Sequence, residues 1–410
     1  LAFAANGEAA LSALWKDVEK EADVKDVHVS VMALNANNAA LVRRYVKWTA
    51  PTACGTKGAS IGFSDWLGEA DAVVAELFGK RQLKPVLVDF TTEDSEALQR
   101  YFVQAVDTAT WGVLEEGYKE GYGANAAGLK TEEEIVKALL YGYSMIGFDC
   151  SDKIDLGIEK LSDEAVDKRF EQFNETFCAA LHASYLNAEF KVGTSKITFT
   201  ENQLHRIVLE YGEAIMHIQF IYNSYLKNTP WDIDFELDLS KPGKVLTPQE
   251  HYLIGNELQR NGIKLSSICL DPLKDSEAVN DNLQLHCEIA DTFGYRLSFK
   301  NADIAMNDTA AAMKYLKGKV HFKMNNILWM SAIELVKALD ADLFGKLCAA
   351  CGCEATADAA DRALVLGYRK ALNPKEESNV AADMKAFLEA HHAEYAAAIK
   401  ENVAAKLKNI

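Results

Sequence analysis

The sequence predicts an α/β fold, a (β/α) TIM-like barrel with additional helices and a helical C-terminal segment. Three observations predict it. Eight apolar runs of strand length, mostly rich in β-branched and aromatic residues, recur along the chain. Longer segments with readable helix starts separate many of them. From Asn326 to Ile410 the chain reads as almost wholly helical. Repeated strand–helix alternation implies a parallel sheet, and this many units favours closure into a barrel.

In order, the runs are VHVSVMAL (27–34), ASIGF (59–63), KPVLVDF (84–90), YSMIGFD (143–149), DIDFELD (232–238), IKLSSICL (263–270), YRLSFK (295–300) and KVHFKM (319–324). Thr131 with Glu134, and Thr200 with Gln203, make capping boxes. Thr247 with Glu250 makes another, with Pro248 at the first helical position. The 150–230 stretch is heavier in helix, with SKITFT as a short strand; it holds either a barrel strand or an inserted helical pair. The division is an N-terminal α/β extension (1–55), the barrel (56–325), and a C-terminal helical segment packed on it (326–410).

The 410 residues carry 60 Asp and Glu against 43 Lys and Arg, a net charge of −17. Such a surface disfavours nucleic acid and anionic membrane as partners but leaves room for a small anionic substrate. No stretch is apolar over the roughly 18 residues a membrane span needs. The opening LAFAANGEAA lacks a basic n-region and a long apolar core, so it is not read as an intact signal peptide, although the first residue is Leu1 rather than Met. Eight scattered Cys suit a reducing compartment, and the expected localisation is cytoplasmic. No P-loop, GxGxxG, HExxH or GxSxG pattern occurs, so no nucleotide cofactor is expected. A homo-oligomer is compatible with all of this.

Barrel chemistry gathers where strands end. The run ends here are Asp89, Asp149, Glu236 with Asp238, Asp271, Lys300, and His321 with Lys323. Within DIDFELD, period two puts Asp232, Asp234, Glu236 and Asp238 on one face, which is costly to bury without partners. That face meets cations at the mouth, or the strand is an exposed edge. In KVHFKM, Lys319, His321 and Lys323 share a face suited to a metal or an anionic sugar acid, with a solvated edge as the alternative. A desolvated Lys300 or Lys323 would also serve Schiff-base chemistry. Cys348, Cys351 and Cys353 resemble half a metal site, but without a second Cys or His pair nearby they read as small buried thiols. His217, His251 and His286 read as packed or capping, and His391 and His392 as surface residues. Asn174 and Asn307 match the glycosylation sequon incidentally.

Several segments resemble the tagaturonate epimerase family of hexuronate breakdown, which interconverts tagaturonate and fructuronate. They are DTATWGVLEEGYKEGYGANAAGLKTEEEI (107–135), LTPQEHYLIGNELQRNGIKLSSICL (246–270) and KGKVHFKMNNILWMSAIELV (317–336), with a weaker match through SIGFSDWLGEA. The resemblance implies a divalent ion held largely by His, and a carboxylate that takes a proton next to a keto-acid carbonyl. It also implies departures. The family's Asp-His pair falls on Ala127 and Gly128, one ligand His falls on Lys300, and the His of H-x-K is kept as His321. The Arg and His of the family's segment at 63–74 are lost. One His does not hold a catalytic divalent ion of the Mn, Ni, Co or Zn kind, since open catalytic sites usually keep three protein ligands. Three readings follow. The first is an epimerase acting on a keto sugar acid, with Glu236 or Asp238 moving the proton, Asp149 in an adapted role and Lys300 polarising the carbonyl. Lys323 and His321 would hold the substrate carboxylate or a residual metal, with Asp271 and Asp89 lining the site. The second is a catalytically inactive paralogue (a pseudoenzyme) that binds a ligand or protein partner. The third is a Lys-dependent aldolase or lyase.

Overall fold

A computed structural model describes residues 2–4, 15–24, 27–79, 83–239, 246–272, 276–306, 309–358, 361–408 and 410. Strands β1 (Ala2–Ala4), β2 (Val18–Val24) and β3 (Val27–Met32) form an antiparallel sheet in the order β1-β3-β2. The helix Ala36–Tyr45 follows, and its Arg43 bonds Asp107 at 2.8 Å and Thr110 at 2.9 Å on the barrel helix Phe102–Glu116. The first apolar run is therefore β3, outside the barrel.

The centre is a closed parallel barrel of eight strands. They are β4 (Ser60–Phe63), β5 (Lys84–Thr91), β6 (Gly123–Leu129), β7 (Met145–Asp149), β10 (Asp234–Asp238), β11 (Ser267–Leu270), β12 (Arg296–Phe299) and β13 (Val320–Met324). Strands pair in chain order, and β13 closes onto β4 with His321 opposite Ser60 and Lys323 opposite Gly62. Seven of the eight apolar runs are barrel strands, and β6, GANAAGL, is the one without such a run. Its small residues follow from close packing. A Cβ on Gly123 would lie 2.9 Å from Val86 Cγ2, and one on Gly147 of β7 would lie 3.0 Å from Ala127 Cα.

The 150–230 stretch holds no barrel strand. It is a helical insertion with helices Asp163–Phe170, Glu175–Tyr185 and Glu201–Ile221, and a small hairpin of β8 (Phe190–Val192) and β9 (Ser195–Ile197). Thr131 and Thr247 form the capping boxes read from sequence, and Thr200 accepts the Gln203 N–H. After β13 the helices pack back on the barrel. Tyr395 Oη donates to Leu328 O at 3.2 Å, and Lys400 meets Glu76 at 2.6 Å. Trp66 and Tyr368 stack with ring centroids 3.4 Å apart. The eight cysteines are all free. Burial pushes the Cys348 thiol up to about 11 and the Cys351 thiol up to about 12, as fits packed, unreactive sulfur. Asn307 lies outside the described residues. Among the described residues no helix is long and apolar enough to cross a membrane.

Candidate active site

The acidic face of β10 runs down the barrel lumen. Phe235 and Leu237 point out to the helices, while Asp234, Glu236 and Asp238 are all buried inside. The alternative of an exposed edge is thereby corrected, and each carboxylate finds a partner as burial requires. Asp234 closes the lower end by accepting the Cys54 N–H at 2.6 Å and the Gly55 N–H at 3.0 Å. Asp232 lies before the strand and is exposed. β13 is likewise no solvated edge, because His321 and Lys323 are 0% and 2% exposed.

At mid-height, Lys323 Nζ bonds Glu236 Oε1 at 2.5 Å and lies 3.7 Å from Asp89 Oδ1. Ser267 Oγ donates to the other Glu236 oxygen at 3.0 Å, and Asn125 Nδ2 donates to Asp89 Oδ1 at 2.9 Å. His321 Nδ1 meets Ser60 Oγ at 2.9 Å, and Arg296 Nη1 donates to that same hydroxyl at 2.8 Å. His321 Nε2 faces Asp89 Oδ2 across 3.7 Å, and neither atom has a hydrogen-bond partner. Gly62 makes room for this arrangement, since a Cβ there would lie 2.3 Å from Asp89 Oδ2.

Burial alone would raise the carboxyls of Glu236 and Asp89. The Lys323 ammonium, with His321 helping, outweighs burial and holds both below the usual carboxylate range. Burial would likewise lower Lys323, but the two carboxylates drive it well above the usual lysine value. One layer higher, Lys300 Nζ bonds Asp238, and that partner raises Lys300 against its own burial.

The mouth opens into a cavity of about 280 Å³. Asp89, Asp271, Lys300 and Lys323 line it, with Glu236 and Asp238 seated behind the two lysines. Asp149 does not line this cavity; it accepts the Ser151 N–H at 2.8 Å and lies 3.6 Å from Lys130. The remaining histidines sit elsewhere. His251, for example, bonds His286 at 2.9 Å and Tyr295 Oη at 2.8 Å, and burial holds it well below the usual histidine value.

Sequence reasoning missed several mouth residues. Asn325 and Asn326 follow β13 directly, and the strand-end rule used for the other residues would have found them. Arg369 had no sequence signal. It comes from the C-terminal segment and lines the cavity, bonding Asp94 at 2.8 Å and Glu93 at 2.7 Å. Tyr368 Oη donates to the same Asp94 at 2.6 Å.

The closed barrel, its buried polar lumen and a mouth lined by both lysines and carboxylates define an α/β-barrel protein with a polar candidate site. The profile of the family described as tagaturonate epimerase (UxaE) matches residues 1–394, and the chain belongs to that family. A Tagaturonate/fructuronate epimerase of Thermotoga maritima is 27% identical over 324 residues, which are 76% of this chain and 66% of that protein. This chain thus covers just under two thirds of that relative's length. The glycerol-complexed fructuronate-tagaturonate epimerase UxaE of Cohnella laeviribosi superposes with a TM-score of 0.89 at 25% identity, covering 100% of this chain and 91% of that one. Its native form gives a TM-score of 0.87.

Proposed function

We propose that this chain is an epimerase of keto sugar acids of the hexuronate type, working through lysine ammonium groups rather than a bound divalent ion. The observation that carries the reading is the pair of cations, Lys300 and Lys323, lining one cavity, each backed by a buried carboxylate. The donor set of the mouth does not suit the divalent ion that the resemblance implies. The two ammoniums neutralise Glu236 and Asp238, and no histidine is among the described residues that line the cavity. Arg296 can only donate to Ser60, so Ser60 is best placed to donate to His321 Nδ1. That puts the ring proton on Nε2 and removes its lone pair from ligation.

In this mechanism Arg369 and Lys323 attract the substrate carboxylate, and Lys300 donates a hydrogen bond to the carbonyl oxygen as negative charge develops there. Asp89, which lines the cavity and is held ionised by Lys323, takes the proton next to the carbonyl, and a proton from water in the mouth is delivered to the opposite face. Asp238, seated behind Lys300, keeps that ammonium in place. Glu236 has both oxygens occupied and holds Lys323 in place. The Schiff-base reading loses support, because carboxylates hold both lysines charged.

The test is solvent deuterium exchange into tagaturonate and fructuronate, followed by NMR with and without chelator. Exchange is expected in both conditions, falling by about 10²–10³ in Lys300→Met. Activity that appears only with added Mn, Ni, Co or Zn would restore the metal mechanism. Binding without exchange would support the inactive paralogue.

A further inference from the structure

The helical insertion carries a second convergence of ligating side chains that shares no residue with the barrel mouth. His182 lies on the helix Glu175–Tyr185, and Glu201 and His205 lie one turn apart on the helix Glu201–Ile221. Their ligating atoms all fall within 4.8 Å of one another. His182 Nε2 is 2.7 Å from His205 Nε2 and 4.0 Å from Glu201 Oε1.

The surroundings orient these groups. Asp167, on the helix Asp163–Phe170, contacts His205 Nδ1 at 2.7 Å. A carboxylate only accepts, so Nδ1 carries the ring proton and Nε2 turns its lone pair toward His182. Asn202 Nδ2 donates to the same Asp167 oxygen at 3.1 Å and fixes it. The Phe170 ring stacks on His205 at 3.8 Å and on His182 at 5.5 Å, keeping the imidazoles nearly coplanar. A carboxylate behind a ligating imidazole is the usual outer support of a metal-bound His. His205 is buried, whereas the His182 and Glu201 side chains are 32% and 63% exposed, which leaves an entry path.

A neutral N–H···N bond between the rings would contribute only about 1 kcal/mol and would have no use for Glu201. Two imidazole nitrogens and a carboxylate oxygen, with one position left for water, form a borderline-soft donor set suited to zinc. Two nitrogens on one tetrahedral zinc sit roughly 3.3 Å apart, so loading needs the rings to part by about 0.6 Å and to tilt until both Nε2 lone pairs converge on the ion.

We propose that His182, Glu201 and His205 form a zinc-type metal site that ties the helices of the insertion together, with Asp167 as its positioning residue. Full-length protein stripped with chelator is titrated with Co²⁺, read by visible absorption, and with Zn²⁺, read by calorimetry. One equivalent is expected, with a tetrahedral Co²⁺ spectrum and a Zn²⁺-dependent rise in Tm. His182→Ala should abolish binding, the exposed Glu201→Gln should weaken it, and Asp167→Asn should weaken it about 10–100-fold. His321→Ala should keep it. Absence of binding in the unmodified protein overturns the proposal. So does binding that survives His182→Ala but is lost in His321→Ala, since the ion would then belong to the barrel.

Discussion

Replacing Lys323 with Met tests the charge balance of the lumen. The ammonium is 2.5 Å from Glu236 and 3.7 Å from Asp89, and all three side chains are at most 2% exposed. Met fills similar volume but leaves two buried carboxylates without their cation. Breaking a buried pair from one side costs about 3–5 kcal/mol near pH 7. For 410 residues the unfolding entropy is about 0.9 kcal/mol per kelvin, so Tm should fall by about 3.5–6 °C. The loss shrinks in acid. In the unmodified protein both carboxyls sit below their usual range, so their contribution is present above the unfolded pKa of about 4 and is lost as pH falls through the folded values. Without Lys323, burial raises both, the folded state binds protons more tightly than the unfolded chain, and acid stabilises the variant relative to its parent. Thermal unfolding at several pH values should therefore show the gap narrowing from neutral pH to about pH 4.5. Adding Glu236→Gln to Lys323→Met should recover part of the loss at neutral pH. A gap under about 1 kcal/mol that does not change with pH would refute the reasoning.

Two further substitutions probe the mouth. Gly62→Ala drives a Cβ against Asp89 Oδ2, 2.3 Å away, and should lower stability by about 1–3 kcal/mol in a denaturant titration while displacing Asp89 from the lumen. Arg369→Ala removes a half-exposed cation from the cavity rim, so steady-state kinetics should show a raised KM with kcat nearly kept, and stability should change by less than about 1 kcal/mol.

The sequence carried the barrel because seven of its strands bury enough apolar, β-branched surface to stand out from their surroundings. The strand β6 stayed hidden for the opposite reason. Its neighbours approach so closely that Gly and Ala replace the residues by which strands are recognised. The candidate site was legible where a polar residue ended an apolar run, as at Asp89, Asp271, Lys300 and Lys323. Asp149 fits the same rule, yet its carboxylate turns back to the Ser151 N–H. Arg369 obeys no local rule, since it enters the mouth from a segment 275 residues beyond its partner Asp94.

By itself the sequence determined what depends on near neighbours along the chain. The alternating faces of β10 and β13, the capped helix starts, and the placement of ionisable groups at strand ends are set by the two-residue and 3.6-residue periods of the backbone. Only the tertiary structure decided which charges meet. Closing the barrel sets Lys323 of β13 against Glu236 of β10 and Asp89 of β5, although the first pair is 87 residues apart in the chain. Whether a carboxylate in such a place is a solvated edge charge, a metal ligand or the counter-ion of a buried lysine depends on burial and on the sign of its spatial neighbour. A linear pattern does not encode either of these.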